Sequence, residues 1–394
     1  MSQRWLILAV LFFARMTMAF QFQSVAAVSP IIVSDYGVNL GDLGLLIGLY
    51  LAPGVVVAIP GGAIASRFGE KRIVAIGMLM MLIGSALTLV SPTWEATVAG
   101  RLLAGAGGVI LNIVMTKMVV DWFAGREIAT AMAVFINSWP VGIAFALLVL
   151  PSAAIAGGLE TAWWITTGII ASGLLAFLCL YKAPAGKKTA LTGVRVAKLP
   201  VYPLLLAGLI WALYNTALAM VFSFSPALLS EMGWTLESAG SVTSTFMIVF
   251  SIAVPLGGIL ADRTGRGDAV ILTSLIGFTV LMPLTSLVSP LGVTAIFVVV
   301  GVLFALGAGP IMALPSEVLS AEARTFGMGV FFTIYYGVMM VAPKIAGMLA
   351  DWSGQASWAI YFGSLMSAVC IVSLVLFRFA HPNVANADAN SPER

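Results

Sequence analysis

Polar residues fall along this chain in short, spaced clusters, and the intervals between them are continuously apolar, as in 73–90 and 296–313. Neither interval alternates. The period-two strands of an outer-membrane barrel, in segments of about ten residues, therefore do not fit. Each interval is long enough to cross a hydrocarbon core of about 30 Å as a helix, at roughly 20 residues per crossing. A helix also satisfies its own backbone groups where no water is present. The pattern predicts twelve helices, over 5–29, 42–66, 73–91, 96–119, 128–152, 162–182, 202–227, 238–262, 269–288, 292–316, 326–349 and 358–379. Most connections are short. The exception, 183–200, carries Lys187, Lys188, Arg195 and Lys198 and divides six helices from six. The predicted organisation is an all-α membrane protein, with an N-terminal six-helix bundle over 1–182, a linker over 183–201, a C-terminal six-helix bundle over 202–380 and a polar tail over 381–394.

Composition agrees with this reading. Of 394 residues, 61% are hydrophobic and 9% are charged, and the mean hydropathy is +1.07. Soluble domains carry roughly 25% charged residues, so a soluble enzyme is excluded. Disorder, which needs low hydrophobicity and high net charge, is excluded as well. The net charge of +3 is small for nucleic-acid binding, and no basic cluster is interleaved with aromatics. Cys179 and Cys370 lie inside apolar runs and read as packed thiols rather than a disulfide framework. The first run, from Trp5, lacks a small-x-small cleavage site followed by a polar domain, so it reads as a span.

Loop charge sets orientation. Arg4, the Arg67, Lys71 and Arg72 group, Arg126, the 182–198 group, Arg263, Arg266, Arg324 and Arg378 all fall on one side of the twelve-helix arrangement. The opposite loops hold Asp35, Asp42, Glu95, Glu160, Glu231, Glu237 and Asp351, with no Lys or Arg. The positive-inside rule then puts both termini in the cytoplasm of a bacterial-type inner membrane, with linker and tail on the same side.

The chain also repeats itself. SPIIVSDYGVNLGDLG at 29–44 matches SPALLSEMGWTLESAG at 225–240 at an offset of 196, with Ser29/Ser225, Pro30/Pro226, Gly37/Gly233 and Gly44/Gly240 identical. The same offset maps GGAIASRFGEKR at 61–72 onto GGILADRTGRGD at 257–268. Arg126 and Arg324 extend the match with a two-residue shift. Two parallel six-helix halves follow, related by an axis along the membrane normal, with a binding site expected between them near the midplane.

The loops after helices 2 and 8, with Gly62, Arg67 and Gly69 in the first and Gly258, Asp262, Arg263 and Gly265 in the second, resemble the signature loop of the major facilitator superfamily. Arg101 with Gly105, Gly107 and Gly108 resembles that superfamily's helix-4 motif. Ser66 stands where the first loop usually has Asp, so the charge latch usual there is in doubt, whereas Asp262 keeps it in the second. RWLILAVLFFARMTMAFQFQSV at the start and INSWPVG at 136–142 are most similar to the cyanate permease and 2-nitroimidazole transporter branch. The resemblance implies the major facilitator fold and a carrier working by alternating access, with Arg67, Arg101 and Arg324 in gating or structural roles.

Ionisable residues within spans are costly in hydrocarbon and are functional candidates by default. Arg15 lies near the middle of helix 1, Arg101 in the outer part of helix 4 and Lys344 in the outer half of helix 11. Arg15 and Lys344 either face the cavity or bond to backbone carbonyls or a helix-end dipole. Lys117, at the inner end of helix 4, reads as a side chain reaching the surface beside Asp121. No Asp or Glu lies in mid-membrane, and the sole histidine, His381, is in the tail. Proton relays use such groups, so a carboxylate-based proton symporter and a cationic-drug exporter are both disfavoured. Buried positive charge without buried negative charge suits an anion, and an arginine fork suits carboxylate or nitrate-like oxygens.

The expected substrate shell adds Gln23, Asn112, Asn137, Tyr214, Tyr335 and Tyr336. At about 100° per residue Gln23 lies about 80° from Arg15 around helix 1, while Gln21 points away. Trp139 either walls the site or packs. Pro140, with Pro53, Pro60, Pro255 and Pro310, removes helix hydrogen bonds and permits kinks, of use to rocking halves or simply static. The expected function is transport of a small anion, cyanate- or nitrate-like or a small carboxylate, by exchange or uniport. The alternative is an exporter of small neutral or drug-like molecules, with an apolar cavity indifferent to Arg15. An enzyme is not expected, because no nucleophile–base pairing appears in the spans. No cofactor or metal is expected, because no His/Cys/Asp cluster appears there. The expected partners are the anion and the bilayer, with the protein acting as a monomer.

Overall fold

The computed structural model describes residues 3–60, 68–123, 127–183, 200–320 and 323–380. Gly62, Arg67 and Arg126, most of the linker and the tail lie outside the described residues, as does the side chain of Arg324. Every described element is helical: α1 (Gln3–Ala27), α2 (Ser29–Tyr36), α3 (Leu40–Leu51), α4 (Gly54–Val57), α5 (Glu70–Val90), α6 (Trp94–Phe123), α7 (Ile128–Leu180), α8 (Val201–Glu231), α9 (Leu236–Thr264), α10 (Gly267–Leu281) with a 3₁₀ turn over Met282–Ser286, α11 (Pro290–Val318), α12 (Arg324–Ser353) and α13 (Ser357–Ala380). Among the described residues, eleven helical stretches are long and apolar enough to cross a membrane.

One of those stretches crosses twice. α7 has 53 residues, about 80 Å at 1.5 Å per residue, far beyond one hydrocarbon core. It breaks at Gly157 and Gly158, whose dihedrals are not helical. Twelve crossings result, in two pseudo-symmetric six-helix bundles. The polar loop expected at 153–161 is absent because 153–156 are apolar helix formers, and the helix runs on to the first glycine. The second crossing is interrupted instead of continuous: α3 ends at Leu51 and α4 restarts at Gly54, around Pro53, which has no N–H to give the ladder.

The two halves repeat in backbone as well as in sequence. Six described glycines have positive φ: Gly37, Gly69, Gly158, Gly233, Gly265 and Gly354. They form three pairs at the offset of 196, each in a turn that a side chain would strain. Asn39 caps α3 and Thr235 caps α9, each accepting from a backbone N–H three residues on. These caps too are 196 apart.

Contacts between the halves obey the same symmetry at the end of the bundle remote from Gln3 and Ala380, hereafter the far end. A Cβ on Gly44 would sit 2.1 Å from the Pro343 carbonyl oxygen, and one on Gly240 would sit 2.4 Å from that of Leu147. Pro343 and Leu147 are themselves one repeat apart. A Cβ on Gly48 would meet the Met340 carbonyl at 2.1 Å, while its repeat mate Ser244 donates to Ala144 O at 3.0 Å. Backbone thus meets backbone along the α3–α12 and α7–α9 seams, and only glycine or a hydrogen-bonding serine fits there.

At the opposite end, the described ion pairs stay within one half. Arg4 pairs with Glu127, and Lys117 bridges Glu70 and Asp121. Arg378 grips Asp268 and Glu317. Lys117 therefore does reach the bundle end, with two carboxylates rather than one.

Gly44→Val should hold the far end apart. The readout is thiol labelling of a Ser225→Cys probe at that end, on a background with Cys179 and Cys370 replaced by serine. Labelling should accelerate in the Gly44→Val protein, and an unchanged rate would show that the seam tolerates a side chain.

Candidate functional site

Arg15 sits midway along α1 and is bound by its own half. Its Nε donates to Asn112 Oδ1 at 2.7 Å. Its Nη1 donates to Phe135 O at 3.1 Å, Ile136 O at 2.9 Å and Ser138 Oγ at 3.1 Å. The guanidinium lies over the rings of Phe135 and Trp139, 5.0 and 5.8 Å from their centroids. Among the described residues no carboxylate pairs with it and Nη2 has no partner. Because a guanidinium only donates, Asn112 must turn its oxygen to Arg15, which leaves its amide nitrogen to donate to the Tyr336 hydroxyl of the other half.

The Ile136 carbonyl is available for a local reason. Pro140, four residues on, has no N–H, so the helix bond that would occupy Ile136 O does not form. The proline expected to kink the helix thus also supplies an acceptor to Arg15. The same device recurs across the halves. Pro226 frees the Phe222 carbonyl in α8, and Gln23 Nε2 donates to it at 2.7 Å.

Facing Arg15 from the other half are Tyr335 and Tyr336 of α12, both close enough to interact with its charge. The Tyr336 ring fills the space beside Gly54 of α4, where a Cβ would meet its carbons at 2.3 Å. Tyr335 and Tyr336 meet edge to face at 4.9 Å. Trp211 of α8 extends this wall, 6.4 Å from Tyr335 and stacked on Tyr214 at 6.0 Å and on Phe331 at 6.4 Å. Arg15, Trp139, Trp211 and Tyr335 are all half-buried at mid-helix.

The other expected ligands are placed differently. Gln23 is fully buried where α1 meets α8; its Oε1 has no partner, nor do the buried hydroxyls of Ser29, Ser223 and Ser225 nearby in sequence. Asn137 Oδ1 accepts from Ser251 at 2.9 Å across the α7–α9 seam. Tyr214 is buried inside the second half and donates to Phe304 O at 2.6 Å. Lys344 makes an ion pair of 3.1 Å with Asp42 across the halves, two turns along α12 from Tyr336. Beside it, Asp351 accepts from the N–H groups of Leu40 at 2.9 Å and Gly41 at 2.7 Å, capping the N-terminus of α3.

Arg101 is only 5% exposed, and each of its three nitrogens has an acceptor. It donates to Leu46 O, Gln21 O and Phe22 O at 3.1, 2.7 and 2.9 Å and lies over the Tyr50 ring. It clamps α1, α3 and α6 together. Of the charges within spans, Lys344 thus meets a carboxylate from the far-end loops, an outcome the sequence reading did not include, and Arg101 meets helix carbonyls.

Among the motif residues, Gly105 passes the Tyr50 backbone, where a Cβ would meet the carbonyl oxygen at 2.2 Å. In the second loop the close approach belongs to Gly257, against Leu306 O, while Gly258 faces open space. Asp262 and Arg263 are exposed at the end of α9, without partners among the described residues. Gly69 and Gly265 take positive φ. Arg324 opens α12.

Sequence reasoning missed Ser138, the Phe135 and Ile136 carbonyls, Trp211 and the Asp42 partner of Lys344. A signal for Trp211 exists: it stands 196 residues after Arg15, the repeat offset itself.

The chain matches the family described as the Major Facilitator Superfamily over residues 11–237 and 204–393. It is 22% identical to the hexuronate transporter of Bacillus subtilis, covering 94% of this chain and 93% of that one. It is 24% identical to the cyanate transport protein CynX of Escherichia coli, with 91% and 92% covered. It is 22% identical to the lysosomal dipeptide transporter MFSD1 of Bos taurus, with 100% and 89% covered. The fold is similar to that of a bacterial homolog of the lysosomal transporter Spinster, in an inward-facing and occupied conformation: TM-score 0.76, 15% identity, 98% of each chain. It is also similar to that of the nucleoside transporter NupG: TM-score 0.73, 14% identity, 95% of this chain and all of that one.

Two outcomes separate these roles. Pro140→Ala gives Ile136 O a helix partner and should loosen Arg15, weakening ligand binding several-fold in equilibrium titrations while the melting temperature holds or rises. Lys344→Ala and Asp42→Ala should be non-additive in a double-mutant cycle on stability, with a coupling of about 0.2–1 kcal/mol for a partly exposed pair. Additive effects would show that the pair is not formed in the membrane.

Proposed function

Because the chain belongs to the Major Facilitator Superfamily, we propose that it is a secondary transporter whose cargo is a small anion held by Arg15. The observation that carries this reading is a mid-membrane guanidinium with neutral partners only and one nitrogen, Nη2, without a partner among the described residues. Its charge is oriented but not cancelled, and an anion supplies what the protein withholds. The relatives named for hexuronate and cyanate, both anions, accord with this reading. The one named for dipeptide fits it through a terminal carboxylate.

The cargo enters between the halves 1–182 and 202–380, which rock about the seams so that one end opens as the other shuts. The charge partition of the loops supports an inner membrane with the termini in the cytoplasm, which makes the far end external. Asp42, Lys344 and Asp351 then latch the external gate. The spans offer no mid-membrane Asp, Glu or His to carry a proton, which favours uniport or exchange.

Thermal-shift and equilibrium binding of nitrate, cyanate and acetate to the purified protein test the anion. A ligand that binds only the folded state raises its stability. Arg15→Ala should weaken binding about 10- to 150-fold, as expected for losing a hydrogen bond to a charged group, and Arg15→Lys should fall between. Binding of a neutral drug-like molecule indifferent to Arg15 would overturn the assignment. In proteoliposomes, anion exchange should persist when the proton gradient is collapsed with an uncoupler; abolition of exchange would contradict the uniport or exchange mechanism.

A further inference from the structure

We propose that the cargo is a monovalent organic acid whose single carboxylate is joined to a flat, apolar ring. The proposal rests on the reading of Arg15 as the anion ligand and goes beyond it to the rest of the molecule.

The repeat carries the argument. The register that pairs Ser29 with Ser225 sets Arg15 opposite Trp211, 196 residues on. The same offset, which the seam contacts of α7 and α12 also follow, sets Trp139 opposite Tyr335 and Pro140 opposite Tyr336. Where the first half has a guanidinium, the second half has an indole, with two phenols beside it. Those side chains meet across the gap, since Arg15 interacts with both tyrosines and Tyr335 adjoins Trp211. One wall binds charge and the other presents ring faces. A ligand that uses both has an anionic head and a flat body.

The charge count limits the head to one carboxylate. Lys344 is spent on Asp42 and Arg101 on three carbonyls. Arg15 has one uncommitted nitrogen. A dianion would leave a charge unpaired in the membrane.

The acceptors limit the body. A sugar acid of similar size carries several hydroxyls, each needing an acceptor as well as a donor. Asn112 Oδ1 is occupied by Arg15 and Asn137 Oδ1 by Ser251. Ser138 Oγ accepts from Arg15 and donates to Phe135 O. Tyr214 is turned inward to Phe304 O. These four groups offer little to a polyol, while Trp211 and Tyr335, both half-buried, present aromatic surface.

The test is equilibrium binding to the purified full-length protein of benzoate, cyclohexanecarboxylate, galacturonate, acetate, nitrate and benzyl alcohol. Benzoate should bind at least tenfold more tightly than acetate, with cyclohexanecarboxylate between. Galacturonate should bind no better than acetate, and benzyl alcohol not at all. Trp211→Ala should bring benzoate to within about twofold of acetate, and Trp211→Phe should keep the preference, which separates a lost ring face from misfolding. If acetate or nitrate binds as tightly as benzoate, or galacturonate is preferred, the ring proposal is overturned and the anion reading stands. If benzyl alcohol matches benzoate and Arg15→Lys changes neither, or if no anion binds, the anion reading itself falls and takes the proposal with it.

Discussion

A guanidinium in the middle of a membrane protein must find acceptors, and the kind it finds decides what it can do. Arg15 takes neutral ones: an amide oxygen, a hydroxyl and two backbone carbonyls of a single half. These bonds fix the side chain and meet the demand that a buried donor be paired. They do not remove its charge. Arg101 gives each of its three nitrogens to a carbonyl and becomes a clamp. Lys344 meets a carboxylate from the opposite half and becomes a latch. Three cations within the spans thus meet different partners: neutral groups that leave one nitrogen over at Arg15, three carbonyls at Arg101 and a carboxylate at Lys344.

The backbone supplies those partners by design of a simple kind. A proline inside a helix leaves the carbonyl four residues earlier without its ladder donor. In a membrane that carbonyl has no water to turn to. Pro140 hands Ile136 O to Arg15, and Pro226 hands Phe222 O to Gln23. The first bond builds the site and the second joins the halves. Glycine does the complementary work, letting main chains touch at Gly44 and Gly240 in symmetric places. Duplication preserved the scaffold, down to paired turns and paired caps, while the side chains facing the gap diverged into a polar wall and an aromatic one.

The fold was legible because it rests on periodicity and composition. Long apolar runs, a one-sided charge pattern and an offset of 196 required no tertiary information. The boundaries that failed, near 153–161 and around Pro53, were those where apolar helix formers or a proline overrode the expected loop or span. Within the site, Arg15 was visible because any ion in a span stands out. Asn112, Tyr335 and Tyr336 were visible as polar groups at mid-helix. The partner of Lys344 was not legible because Asp42 lies 302 residues away, and no spacing rule reports a contact between halves. Tyr214 was assigned to the shell because its polar atom was counted without knowing that Phe304 O would claim it. Trp211 was passed over because an indole in an apolar run carries no local signal, and only the repeat singles it out.

The seam where α1 and α2 meet α8 holds Gln23 Oε1 and the hydroxyls of Ser29, Ser223 and Ser225, buried and unpaired among the described residues. Each such group loses about 1–3 kcal/mol relative to its hydrated state. Parting the halves at that end would return water to all of them. The shut conformation is therefore the dehydrated one, opposed by solvation and held by the glycine contacts and the latch. Its balance with the open form depends on the activity of water, so an osmolyte excluded from the protein surface favours the shut state and a dilute medium favours the open one.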